Sequence, residues 1–144
     1  HVSPVDVTLS DNGNELSTKI VWFAPDERTI GAWANATDAT EAGAYCCVIA
    51  GVEETRRLYA IRRAETLIGA DYYVGPTGTG VNDLEDCLRL EVSGVDAGDR
   101  HSVRQRLGQK IRQAREGKSS LPAIAGVFAF SATLLMVQDV PEES

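Results

Sequence analysis

The chain reads as one α/β domain of the α+β kind, with a central mixed β-sheet flanked by helices and an N-terminal β-hairpin. Three observations predict it. Short apolar runs bounded by Gly, Asn and Asp occur at both ends and in the middle, and two stretches of helical periodicity, 38–68 and 100–116, separate them. In addition, 144 residues with 43% hydrophobic content suffice for one sizeable core. The expected division is 1–37 hairpin and lead-in, 38–140 core, and 141–144 tail.

Val5, Val7 and Leu9 alternate with Asp6 and Thr8, residues 11–14 (Asp-Asn-Gly-Asn) carry turn chemistry, and 17–23 is β-branched and apolar. Together they predict the hairpin. Residues 30–37 are ambiguous, with Trp33 expected in the core. From 38 to 68 the pattern is helical, capped by Asp38 or Thr40. It forms two helices or one kinked at Gly51. In its second part Leu58, Ala60, Ile61, Ala64, Leu67 and Ile68 share one broad arc, and Glu65 falls inside that arc.

Residues 69–94 predict two strands joined by a Gly-rich and acidic connection. Asp71 opens the first. In the second, Leu88, Leu90 and Val92 point one way while Arg89, Glu91 and Ser93 point the other. Arg100 begins a helix stopped by Gly117, with Val103, Leu107, Ile111 and Ala114 inside, Arg104 and Lys110 at the edges of that face, and Arg112 outward. Residues 122–130 and 133–140 predict two well-covered strands, and 141–144 a frayed tail.

The formal charge of −7 opposes a protein that is basic throughout, yet seven of the 14 Lys/Arg lie between Arg100 and Lys118. Three cysteines make no even disulfide framework, and neither they nor the two histidines have zinc-site spacing. A reduced, cytoplasmic protein is expected, with no bilayer-spanning run and no signal-peptide pattern. Scarce histidine also excludes Ser-His-Asp chemistry and leaves Cys46 and Cys47 as core residues.

A carboxylate in mid-strand needs a metal, a cation or water. Asp71 on the neighbouring strand could add oxygen ligands for Mg²⁺ beside Glu91. Glu65 is either a third acidic ligand or the partner of Arg62 or Arg89. Competing motifs are poorer. Residues 75–80 follow a strand as a phosphate loop does, but Val81 and Asn82 stand where Lys and Ser/Thr belong, so a hairpin connection is expected. Asp83, Glu85 and Asp86 fit a solvated acidic loop, with Asp86 a reserve ligand. Tyr72 or Tyr73 could stack a base, and the basic helix, through Arg104 and Arg112, could lie along a phosphate backbone.

The succession of a helix with Glu65, then Asp71, then Glu91-Val92-Ser93, then a basic helix resembles the PD-(D/E)XK nuclease superfamily, the restriction-endonuclease-like fold. The likeness covers roughly 38–137. It implies a magnesium- or manganese-dependent nuclease hydrolysing phosphodiester bonds, a small bacterial or phage domain. Asp71, Glu91 and Glu65 would be metal ligands, and nucleic acid, DNA before RNA, the substrate. One departure is plain: Ser93 occupies the position of the motif lysine. Lys110 is expected to supply that charge from the following helix, with Ser93 as a hydrogen-bonding neighbour. The alternative is a noncatalytic relative, an immunity- or antitoxin-type binding module. A homodimer or a protein partner is compatible with either.

Overall fold

The computed structural model describes residues 1–66 and 68–142. Its elements in order are β1 (Val5–Asp11), β2 (Asn14–Ile20), α1 (Glu27–Ala32), α2 (Ala36–Arg56), β3 (Tyr59–Arg63), β4 (Tyr72–Gly75), β5 (Leu88–Val95), α3 (Arg100–Glu116), β6 (Ala123–Ala129) and β7 (Leu134–Asp139). The strands form one mixed sheet in the order β2-β1-β7-β6-β5-β4-β3. The pairs β5–β6 and β1–β7 are parallel and the others antiparallel.

The expected hairpin is present. Asn12 (φ 48°) and Gly13 (φ 83°) make the turn between β1 and β2, where a left-handed backbone matches the twist of the strands. All seven residues of β6 are buried, as a strand covered on both faces requires. On one face Ala44, Val48 and Val52 of α2 pack with Leu90, Val92, Ile124 and Leu135. On the other, Val103 and Leu107 of α3 pack with Ala125, Val127 and Leu134. Each fully buried Val or Leu contributes about 1.5–3 kcal/mol.

Three expectations fail in the first half. The helical stretch 38–68 divides: α2 begins earlier, at Ala36 behind the Asn35 cap, and ends where Arg57 turns left-handed (φ 53°). Tyr59–Arg63 then becomes an edge strand paired with β4. The arc shared by Leu58, Ile61 and Ala64 was therefore no helix face, because pairing to β4 overrides a periodicity that five residues cannot establish. Leu67 lies outside the described residues, as do 143–144 of the expected tail. Trp33, expected in the core, is 53% exposed beside α1. Cys46 is likewise exposed, while Cys47 is half-buried and Cys87 buried.

The ends of α2 are fixed differently. Its last turn is tied to the sheet by Arg56, which donates to both oxygens of Asp11 (2.9 and 2.6 Å). Its first turns cross β5 at Gly94, where an added Cβ would lie 2.9 Å from Ala44 Cβ and from Thr40 O. Gly94→Val lifts α2 off the strand, and chemical denaturation should register a loss of about 1–3 kcal/mol.

Candidate active site

β4 is shorter than its neighbour. It pairs with β5 only along Leu88–Leu90, so the residues from Val92 to Val95 have β6 on one side and no strand on the other. A cleft of about 500 Å³ opens at that free edge. Thr37, Thr40 and Glu41 of α2 line it from above, Arg106 and Lys110 of α3 from below, and Ser93 and Gly94 form its floor.

Asp71 stands where β4 gives out. Continuing the register that sets Tyr72 against Leu90, it falls opposite Glu91. Its N–H donates to Leu90 O (2.8 Å), and its Oδ2 accepts from the Val92 N–H (2.7 Å), replacing the carbonyl that a longer β4 would have offered. Its Oδ1 lies 3.1 Å from the Tyr45 hydroxyl, which is also 3.0 Å from Glu41 Oε1. One hydroxyl proton satisfies only one of these carboxylates. Arg63 completes the cluster: it donates to the Tyr45 oxygen (3.1 Å), lies against the rings of Tyr45 and Tyr72, and comes within 4.0 Å of Asp71 Oδ1. Burial pushes the Tyr45 phenol up to about 12, so it remains a donor at neutral pH.

Glu91 is 7% exposed and faces α3. Burial raises its pKa above 4.5; Lys110 Nζ, donating to Oε1 at 2.9 Å, opposes that rise, and the charge of Asp71 adds to it. Two carboxylates thus share a partly dehydrated edge with two cations, Lys110 beside Glu91 and Arg63 beside Asp71, so the charges of the cluster balance.

The structure pairs Lys110 with Glu91 and sets Asp71 near enough for its charge to act on Glu91; Ser93 and Lys110 line the cleft, whereas Asp71 and Glu91 are not among its lining residues. It does not bring Glu65 to this cluster. That residue follows β3, exposed, with Oε1 held by Arg62 (2.6 Å) and Oε2 by the Tyr73 hydroxyl (3.0 Å). The pairing with Arg62 is one of the two alternatives its position allowed. Arg104 lines a separate hollow with Glu15 and Arg100, and Arg112 is exposed outside the cleft. Tyr73 is buried, and Tyr72 packs edge-on against Tyr45 (5.6 Å), so neither ring is open to a base. The loop after β4 is a turn with Gly78 at φ 85°.

Sequence reasoning missed Glu41, Tyr45 and Arg106. The i, i+4 pair Glu41 and Tyr45 was visible once a helix was placed there, but nothing in the sequence aimed it at Asp71. Among the described residues no three His, Cys, Asp or Glu side chains form a metal-binding group. The pair Asp71 and Glu91 suits Mg²⁺, which takes one or two protein carboxylates and completes its shell with water and substrate phosphate. It does not suit an ion that needs an all-protein cage. No family model, curated protein or solved structure matches the chain.

Asp71→Ala leaves the Val92 N–H without its acceptor, and urea unfolding should show a cost of about 1–3 kcal/mol. Asp71→Asn keeps an amide oxygen for that N–H and should retain most of the stability while losing the charge.

Proposed function

We propose that the cleft at the free edge of β5 is the active site of a metal-dependent nuclease of the PD-(D/E)XK kind, hydrolysing phosphodiester bonds of nucleic acid, DNA in preference to RNA. The observation that carries this reading is the Lys110–Glu91 contact. The lysine absent from position 93 is replaced by one from α3, whose ammonium lies 2.9 Å from the strand carboxylate. Asp71 before one strand, Glu91 on the next and a basic helix after them agree with the resemblance. Its helical acid becomes Glu41 of α2, joined to Asp71 through Tyr45, in place of Glu65.

Asp71 and Glu91 would hold Mg²⁺ or Mn²⁺, which supplies Lewis-acid charge at a phosphoryl oxygen and activates water. Lys110 balances the negative charge that grows on the phosphate. Ser93, and Gly94, whose N–H shares the open side with that of Val92 by strand alternation, offer hydrogen-bond donors to its oxygens. Arg106 places a further cation at the rim for a neighbouring phosphate. Tyr45 holds Asp71 in place. Three free cysteines, and no helix among the described residues long and apolar enough to cross a membrane, agree with a cytoplasmic setting. The noncatalytic alternative draws on the Arg62–Glu65 pair, which occupies the acid first expected to bind metal.

Calorimetric titration with Mg²⁺ or Mn²⁺ should give binding that Asp71→Asn and Glu91→Gln abolish. Cleavage of plasmid DNA by those variants and by Lys110→Met should fall at least about 100-fold, with Glu65→Gln unaffected. Absence of binding at millimolar metal would rule out this activity and favour the noncatalytic alternative.

The pH profile supplies an independent check. Glu91 must be ionised to bind metal and burial raises its pKa, so activity should fall as the pH is lowered and Glu91 takes up a proton. Any residual activity of Lys110→Met should show that limb displaced to higher pH, because the variant lacks the group that opposes the rise.

A further inference from the structure

Every residue from Val21 to Asp38 is exposed. This arm carries Val21 (74% exposed), Trp22 (37%), Phe23 (98%), Ile30 (59%) and Trp33 (53%), most of the large apolar side chains left in water among the described residues. Its helix α1 buries none of its six residues. A helix that short has no stability of its own, and Ile30 and Trp33, three apart, present one apolar face. The arm has the composition of an interface core, aromatic and bulky aliphatic, rather than that of a solvated loop.

The same molecule carries the complementary surface. Helix α2 packs mainly over β5, β6 and β7, and β2 at the sheet edge has no fully buried residue. Between them lie two adjoining hollows of about 270 and 320 Å³. They share Ile20, Cys47 and Phe128, and Thr18 and Ala50 also line them. The arm touches its own hollow only at its root, where Trp22 lines the near end and its N–H donates to Ser3 Oγ (2.9 Å). Beyond Trp22 it leaves that surface.

We propose that the arm of one copy docks into the α2–β2 hollow of a second copy, and the second arm into the first, giving a two-fold dimer by reciprocal exchange. The match is one of shape class and charge. Phe23 and the Ile30–Trp33 face supply projecting apolar groups, the hollow is apolar, and its rim offers Glu54 to Arg28. The area is adequate. The exposed portions of the five apolar side chains come to about 600 Å², and each copy buries both its own arm and its own hollow, which exceeds the about 800 Å² per partner of a standard interface. The symmetry is closed, so the association stops at two.

Sedimentation equilibrium in EDTA, with no metal or nucleic acid present, tests this independently of the nuclease activity. The native chain should be a dimer at micromolar concentration. Phe23→Ser with Trp33→Ser on the arm, and separately Ala50→Arg in the hollow, should weaken the dimer at least about 100-fold. All three positions are exposed, and thermal unfolding of the monomeric variants checks that the fold is intact. A chain monomeric at its highest soluble concentration overturns the proposal, as does a dimer that both sets of substitutions leave unchanged. A monomer whose Trp22 and Trp33 emission is quenched by a single-stranded oligonucleotide also overturns it, and assigns the arm to nucleic acid.

Discussion

The Arg89 guanidinium holds the molecule's halves in register. It is 6% exposed, yet among the described residues no carboxylate pairs with it; instead Nη1 donates to Ile68 O (3.1 Å) and Ala114 O (2.8 Å), and Nε to Leu121 O (2.9 Å). A buried cation is tolerable only when fully hydrogen-bonded. The final carbonyls of α3 are what a cation prefers, since they form the negative end of the helix and lack partners within it. Burial nonetheless lowers the pKa of Arg89. One side chain of β5 thereby fixes the end of α3, the approach to β4 and the entry to β6. Gly117 makes this possible, because a Cβ there would overlap Ile68 O and crowd Arg89 Nη1 at 2.9 Å.

From that anchorage the candidate site follows. With the end of α3 fixed over Arg89, Lys110 lies one turn back from Ala114 and above Glu91, two residues along the same strand face. On the opposite side of the sheet, α2 is drawn close by Gly94 and tied at its far end by Arg56. The cleft exists because β4 stops early, and Asp71 both ends β4 and satisfies the strand it abandons. Its carboxylate therefore serves the sheet through one oxygen and meets Tyr45 and Arg63 with the other.

What the sequence disclosed depended on how local the signal was. The limits of α3 were legible from Gly117 and the spacing of Val103, Leu107, Ile111 and Ala114. The hairpin was legible from Asn12-Gly13, and the alternation in β5 from Leu88, Leu90 and Val92. Glu91 was legible because a charged group among apolar strand residues is costly and so conspicuous, Asp71 as the carboxylate that opens the preceding strand, and Lys110 only through the resemblance, as a substitute for the lysine absent at position 93. Glu65 misled, because Leu58, Ile61 and Ala64 imitate a helix face while pairing with β4 makes residues 59–63 a strand. The role of Glu41 had no local signature: it depends on where Tyr45 meets Asp71, a contact between residues 26 positions apart. The position of Arg106 over the cleft depends likewise on the crossing of two helices on opposite faces.

The N-terminal hairpin joins the sheet only through β7, the last strand, which lies parallel to β1 and pairs Thr8 with Leu134. Parallel pairing across nearly the whole chain is a slow, non-local closure. Until β7 is present, β1 and β2 are an isolated two-strand ribbon, marginal in water, with one edge of β1 unpaired. During synthesis the ribbon emerges well before β7 and is seated only after it. The hairpin is thus a clasp, holding nothing until the remaining sheet is in place, and Arg56 secures it by reaching Asp11 on the first strand and Asp139 on the last.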